Sequence, residues 1–240
     1  FELLDPTSQI DLLVRDGDAV KPGDVLMRVT ADAWVFSAAE RLALDYLQHL
    51  SGIATKANRF VRLVEPYGVR ITDARKGIPP IRALQKYAVR KGGAIPHMYS
   101  LHNLVLVKDN HIKMCGGSIT EAVRLLREKG SHGFKIEVEV ETLPQIEEAL
   151  SAGADCIMLD NFDIETLRDA VKLIDKRVFC EATGGVTEET VVEIAKTGVD
   201  QIAVGAIVHS VNVLDISIDI GDMKDSARRD IKKAQGGAGA

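Results

Sequence analysis

The sequence predicts an α/β chain in which a small strand-built N-terminal unit is followed by βα units that close into a barrel. Three observations carry this. From Gly68 onward, short apolar runs alternate with helical stretches, the rhythm of parallel βα units. Within that region residues 147–160 are echoed by 192–205, each copy a helix closed by glycine, a short turn and a buried strand. Right-handed βα units can close into a barrel or wind as an open sheet, and no G-x-G-x-x-G opens a first helix, which favours the barrel.

Residues 10–30 read as short strands around Asp16-Gly17 and Pro22-Gly23, turn dipeptides set between apolar residues. This text resembles the hammerhead of biotinyl and lipoyl domains, but it lacks the Met-Lys-Met type of tip that carries a prosthetic group. A structural α/β sandwich is therefore expected. Leu42, Leu44, Leu47, Leu50, Ile53 and Ala54 predict a long helix over 38–64, with Ser51-Gly52 its weak point. Strands follow at 69–71, 104–107, 136–140, 156–159, 178–180 and 202–204. The chain divides into a sandwich part with the long helix (1–66), a barrel (67–220) and a charged, Gly/Ala-rich tail expected to fray (221–240).

Composition narrows the function classes. Hydrophobic residues make up 46% of the 240, enough for a substantial core. Thirty Lys and Arg against 35 Asp and Glu leave a net charge of -5, which argues against a nucleic-acid binder working by bulk charge. Cys115, Cys156 and Cys180 are far apart and form no C-x-x-C pair, excluding a disulfide framework or zinc ribbon and fitting a reducing cytoplasm. No apolar stretch approaches the roughly 18 residues of a membrane span. The chain opens on Phe1 without a signal-peptide pattern, as a trimmed product of a longer gene would.

In a βα barrel, functional residues sit at the C-terminal ends of strands and phosphate often occupies the last two βα loops. Thr183-Gly184-Gly185 and Gly205-Ala206, the latter followed by His209-Ser210, are glycine-bearing loops at that place, so a phosphate site is predicted there. Lys135, Glu137 and Glu139 share one strand face at period two, which should line a polar barrel mouth. Glu139 and Asp160 could hold ribose hydroxyls or Mg²⁺, and Glu137 is read as the structural ion-pair partner of Lys135. Arg75, Lys76 and Lys108 each follow a strand and are read as anion-binding. Arg82, Lys86 and Arg90 recur every fourth residue and are read as a solvated helix face.

Six segments together resemble the quinolinate phosphoribosyltransferase family: Glu40-Arg41-Leu42-Ala43-Leu44-Asp45, Leu50-Ser51-Gly52-Ile53-Ala54-Thr55, Lys86-Tyr87-Ala88-Val89, Lys108-Asp109-Asn110-His111-Ile112, Glu137-Val138-Glu139-Val140 and Leu159-Asp160-Asn161. The resemblance spans about residues 10–218. It implies a sandwich domain before an open, irregular α/β barrel, in homodimers or larger assemblies with shared active sites. It also implies transfer of phosphoribosyl from phosphoribosyl pyrophosphate to quinolinate with loss of CO₂, using Mg²⁺. Carried over residue by residue, Arg41 reaches the neighbouring subunit's site, and Arg75, His97 and Lys108 line the acceptor pocket. Lys76, Glu139 and Asp160 handle the phosphoribosyl pyrophosphate and its metal. Thr183, Gly184, Gly205 and His209 hold the 5′-phosphate, to which the loop reading adds Gly185. Lys76, Lys108, Glu139 and Asp160 form the catalytic set.

The sequence departs from the family pattern at several points. Ala74 and Gly77 stand where the family has threonines, Thr183 where it has serine, and Met98 where an acceptor-binding arginine is usual; Tyr99-Ser100 replace small residues. Losing that arginine would cost a dicarboxylate roughly 2–5 kcal/mol of binding if its charge stays buried. Two alternatives follow from this: a paralogue acting on a different aromatic acid, and a non-catalytic binder of a phosphorylated metabolite. A Schiff-base lyase using Lys76 or Lys108 is disfavoured, because both neighbour charged residues rather than an apolar, pKa-lowering pocket.

Overall fold

The computed structural model describes residues 1–98, 104–130 and 133–221. The expected tail lies, from residue 222 on, outside the described residues, as do Tyr99 and Ser100. At the N-terminus β1 (Gln9–Leu12) pairs antiparallel with β2 (Met27–Thr30). The text between them forms turns rather than further strands. Gly17 and Gly23 take positive φ, and the Asp18 and Asp24 carboxylates accept from the backbone N–H groups of Arg15 and Lys21 at 2.8 and 2.7 Å.

Helix α1 (Ala33–Val64) follows and runs 32 residues without a break. The expected weak point at Ser51-Gly52 is therefore corrected. Gly52 is there because a backbone crosses it: a Cβ would meet the Asn212 carbonyl oxygen at 2.4 Å. The chain after the barrel is strapped along α1 at this place, with Leu214 N–H donating to the Gln48 carbonyl, Gln48 Nε2 to the Ile216 carbonyl and Lys56 Nζ to the Ser210 carbonyl. Gly52→Ala gains about 1 kcal/mol in helix propensity but forces two backbones apart, at about 1–3 kcal/mol. A net loss of stability is expected, read as a lower urea midpoint.

The remaining elements alternate: β3 (Arg70–Thr72), α2 (Arg82–Lys91), β4 (Val105–Val107), α3 (Asp109–Met114), α4 (Ile119–Lys129), β5 (Ile136–Val140), α5 (Leu143–Ser151), β6 (Cys156–Asp160), α6 (Ile164–Ile174), β7 (Phe179–Thr183), α7 (Val191–Ala195), β8 (Gln201–Ala203) and α8 (Ala206–His209). Every pairing in this sheet is parallel and the strand order is β3-β8-β7-β6-β5-β4, with a further bridge from Thr72 to Ile95. The result is an α/β barrel that is not closed by a continuous ladder among the described residues. The two quasi-repeats are α5-β6 and α7-β8, and Gly153 and Gly198 end their helices at positive φ.

Strand register explains what the barrel encloses. Glu137 lies abreast of Leu106 and Cys156, Glu139 abreast of Met158, Met158 abreast of Glu181, and Asp160 abreast of Thr183. Neighbours in parallel register share a face, so these side chains turn inward together. The alternate residues, including Ile136, Val138, Val140, Ile157, Leu159, Cys180 and Ala182, point outward and are buried under the helices. The apolar core therefore forms the layer between sheet and helices, and the barrel lumen mixes carboxylates with Leu106, Cys156 and Met158.

Candidate active site

Four successive strands, β4 to β7, deliver polar residues at their C-terminal ends. Lys108 follows β4 and its Nζ donates to Glu139 Oε2 at 2.5 Å; the Glu139 side chain is 11% exposed and that of Lys108 38%. Asp160 ends β6, and its carboxylate accepts from Asn161 Nδ2 at 3.0 Å. One oxygen of each carboxylate is thus engaged. Thr183 ends β7, and its carbonyl accepts from Asn161 N–H at 3.0 Å. Gly184 and Gly185 then take φ of +94° and +58°. A Cβ on Gly184 would lie 2.3 Å from Asn161 Oδ1 and 2.7 Å from its backbone nitrogen, so only glycine lets these two loops touch.

The first and last loops of the barrel form a second part of the mouth. Lys76, Gly77, Ile78 and Pro79 from the loop after β3 line a cleft of about 490 Å³ with Val208, His209 and Val211 from the far end and His49 from α1. Gly205 lies 3.1 Å from the His209 ring and 3.7 Å from Ala74, measured to its would-be Cβ. His49 was not singled out from sequence. Its only signal was its place just before Leu50-Ser51-Gly52. Its Nε2 lies 3.2 Å from Gln85 Nε2, while Gln85 Oε1 accepts from Ile78 N–H at 2.8 Å. That amide also occupies the space a side chain at position 77 would need, 2.5 Å from a Cβ. Gly77 thus makes room for the buried Gln85.

Behind this loop sits an ion pair that overturns one expectation. Lys86 is not on a solvated face: it is 1% exposed, and its Nζ lies 2.7 Å from both carboxylate oxygens of Asp73, itself fully buried. Asp73 also accepts from His97 N–H at 2.7 Å, so one carboxylate ties α2, the Arg75-Lys76 loop and the His97 segment together. Burial holds Lys86 below the usual lysine range, and Asp73 only partly offsets it.

Glu137 requires a second correction. Its partner is not Lys135, which is exposed, but His97, whose Nε2 lies 3.6 Å from Glu137 Oε2 and 3.6 Å from Glu181 Oε1. Burial acts to lower His97, but the two carboxylates outweigh it and lift the imidazole to about 9. Burial raises Glu137 in turn. These groups line a separate cavity of about 350 Å³ with Ile95, Pro96, Met98, Leu104, Cys156, Phe179 and Gln201. His97 thus faces a different cavity from Lys76 and His209. Glu181, fully buried, was missed from sequence although it lies two residues before Thr183 on the same face.

Of the residues expected to act together, Lys108 meets Glu139, Asp160 adjoins Thr183 and Gly184, and Lys76, Gly205 and His209 share one region. Arg75 is half-buried beside Lys76. Arg41 is apart from both cavities, exposed on α1 and facing Asp45 at 3.9 Å.

Comparison with known proteins matches the chain in two consecutive pieces. Residues 1–51 match the family model for the N-terminal domain of quinolinate phosphoribosyl transferase, and 53–219 match that for its C-terminal domain. A Bacillus subtilis protein named "Probable nicotinate-nucleotide pyrophosphorylase (carboxylating)" is 42% identical over 220 residues, covering 92% of this chain and 76% of the relative. The carboxylating nicotinate-nucleotide pyrophosphorylase of Mycobacterium leprae is 40% identical over 210 residues, with 86% and 73% covered. Among solved structures, the nicotinate-nucleotide pyrophosphorylase of Ehrlichia chaffeensis superposes with a TM-score of 0.88 at 36% identity, covering 92% of this chain and 80% of that one.

Proposed function

The chain belongs to the quinolinate phosphoribosyl transferase family, and on that premise we propose that its barrel mouth joins quinolinate to phosphoribosyl pyrophosphate, giving nicotinate mononucleotide, CO₂ and pyrophosphate. The observation that carries this reading to particular residues is the Lys108–Glu139 pair set beside Asp160 and the Thr183-Gly184-Gly185 loop. The C1′–O bond breaks with its electron pair leaving on pyrophosphate, and the pyridine nitrogen bonds to C1′. Glu139 and Asp160 stabilise the positive charge that grows on the ribose ring between those events. The nitrogen, now cationic, stabilises the electron pair left on the neighbouring ring carbon as its carboxylate departs as CO₂, and that pair then takes up a proton.

The other residues hold the reactants in place. Thr183, Gly184, Gly185, Gly205 and His209 take the 5′-phosphate, and Lys76 faces the pyrophosphate. Arg75 and Lys108 serve the acceptor carboxylates. Glu139 and Asp160 fit Mg²⁺, which takes one or two carboxylates and completes its shell with substrate phosphates; when bound it would neutralise charge on the leaving pyrophosphate. Met98, 8% exposed, stands in the wall of the His97 cavity and adds no charge for a second carboxylate.

A homodimer belongs to the same proposal. Trp34 and Leu42 are 60% and 62% exposed on the part of α1 that carries Arg41, apolar surface that a second copy would cover while bringing its own site to that arginine. Among the described residues no helix is long and apolar enough to cross a membrane, and action in the cytoplasm is proposed.

The test is pyrophosphate release from phosphoribosyl pyrophosphate and Mg²⁺, with quinolinate and then with aromatic monocarboxylates. Turnover with quinolinate is expected. Turnover confined to monocarboxylates would make the chain a paralogue with another acceptor. Binding of phosphoribosyl pyrophosphate without turnover on any acid would make it a metabolite binder.

A further inference from the structure

The His97–Glu137–Glu181 cluster lies deeper in the barrel than the proposed catalytic carboxylates, since Glu137 precedes Glu139 by two residues on β5 and Glu181 precedes Thr183 by two on β7. Its cavity reaches the strands' N-terminal ends, where Cys156, Phe179 and Gln201 are the first residues of β6, β7 and β8. The three side chains are 8%, 4% and 1% exposed. Glu137 Oε2 and Glu181 Oε1, the oxygens that face His97, have no hydrogen-bond partner, and neither has His97 Nδ1. Glu181 uses its other oxygen to accept from Gln201 Nε2.

The spacing decides what these atoms are arranged for. A hydrogen bond from an imidazole N–H to a carboxylate runs about 2.7–3.2 Å. His97 Nε2 stands 3.6 Å from each carboxylate oxygen, too long for either bond. Two ligands each about 2.0–2.2 Å from one metal ion at a tetrahedral angle are about 3.3–3.6 Å apart. All three ligand atoms lie within 4.8 Å of one another, and among the described residues no other group of three His, Cys, Asp or Glu does so. Electrostatics point the same way. Two buried carboxylates beside one imidazole leave one negative charge unbalanced even when the imidazole is protonated, and a divalent cation that displaces that proton balances both.

We propose that His97, Glu137 and Glu181 form a binding site for a divalent transition-metal ion of the zinc class, separate from the Mg²⁺ that serves phosphoribosyl transfer. An imidazole in the set selects such an ion over Mg²⁺, which prefers oxygen ligands. Bound there, the ion pins the segment carrying His97 and Met98 to β5 and β7. The role is structural: it fixes one wall of the inner cavity, and its fourth position opens into that cavity.

The experiment titrates ZnCl₂ into the chelator-stripped full chain by calorimetry, with Co²⁺ absorption as a second probe, and needs no turnover. One equivalent binding with a Kd below 1 µM, a visible Co²⁺ band and a raised melting temperature are expected. Glu181→Gln, which keeps the shape and loses the charge, should weaken Zn²⁺ binding by about 100-fold or more, whereas Glu139→Gln should leave it unchanged. Circular dichroism checks that Glu181→Gln folds; if it does not, Glu137→Gln takes its place in the same titration. No tight equivalent on the wild-type chain would overturn the site, as would equal affinity in the folded glutamine variant. Either result leaves the reaction proposed above untouched, because that reaction is measured by pyrophosphate release.

Discussion

Lys86→Met is expected to remove about 3–5 kcal/mol of folding stability, the cost of leaving one member of a buried ion pair without its partner. The side chains of Lys86 and Asp73 are 2% and 1% exposed, so solvent does not screen the loss. Asp73 would keep only the His97 N–H, too little for a carboxylate out of water. The double variant Asp73→Asn/Lys86→Met should recover most of the loss, since what destabilises is the unpaired charge more than the missing attraction. Urea unfolding of the two singles and the double measures this. A Lys86→Met chain within about 1 kcal/mol of wild type would mean that the buried pair adds little net stability. Activity should fall with stability, because Asp73 leads directly into the loop that carries Arg75 and Lys76.

The second large effect is catalytic. Glu139→Gln keeps the side chain's size and an oxygen for Lys108 but removes the negative charge beside the reacting ribose. Loss of one preorganised electrostatic contact of this kind costs about 10²–10³ in kcat. Stability should change little, since Glu139 sits near solvent at the mouth and Lys108 is more than a third exposed. The readout is kcat at saturating phosphoribosyl pyrophosphate, with a melting curve as control. A variant that raises KM and leaves kcat intact would make Glu139 a binding group rather than one that acts as the bond breaks.

The residues explain which parts of this were legible in the chain. The six barrel strands stood out because each is an apolar run between helical stretches. Their ends then gave Lys108, Glu139, Asp160 and Thr183 without any knowledge of pairing. Period two along β5 predicted that Glu137 and Glu139 face the lumen, and they do. What failed was the choice of partners. Lys135 is nearest to Glu137 in sequence, yet the barrel brings in His97 from 40 residues away. Lys86 looked solvated because helical spacing records a face and not what covers it; Asp73, the residue that makes burial possible, lies in another element 13 residues earlier. The Ser51-Gly52 step looked weak because glycine costs a helix stability when nothing packs on it. Here a distant backbone does.

That crossing segment bears on how the protein is made. Lys56 bonds to a carbonyl 154 residues later and Gln48 to one 168 residues later, while the strand that pairs along β3 is β8, near the end of the barrel. A chain emerging from the ribosome can assemble the β5–β7 half of the mouth as it appears. The cleft around Lys76 and His209 must wait until residues near 216 have left the exit tunnel. Vectorial synthesis therefore completes the half holding Glu139 and Asp160 first, and the enzyme acquires its other half in one late, long-range docking step.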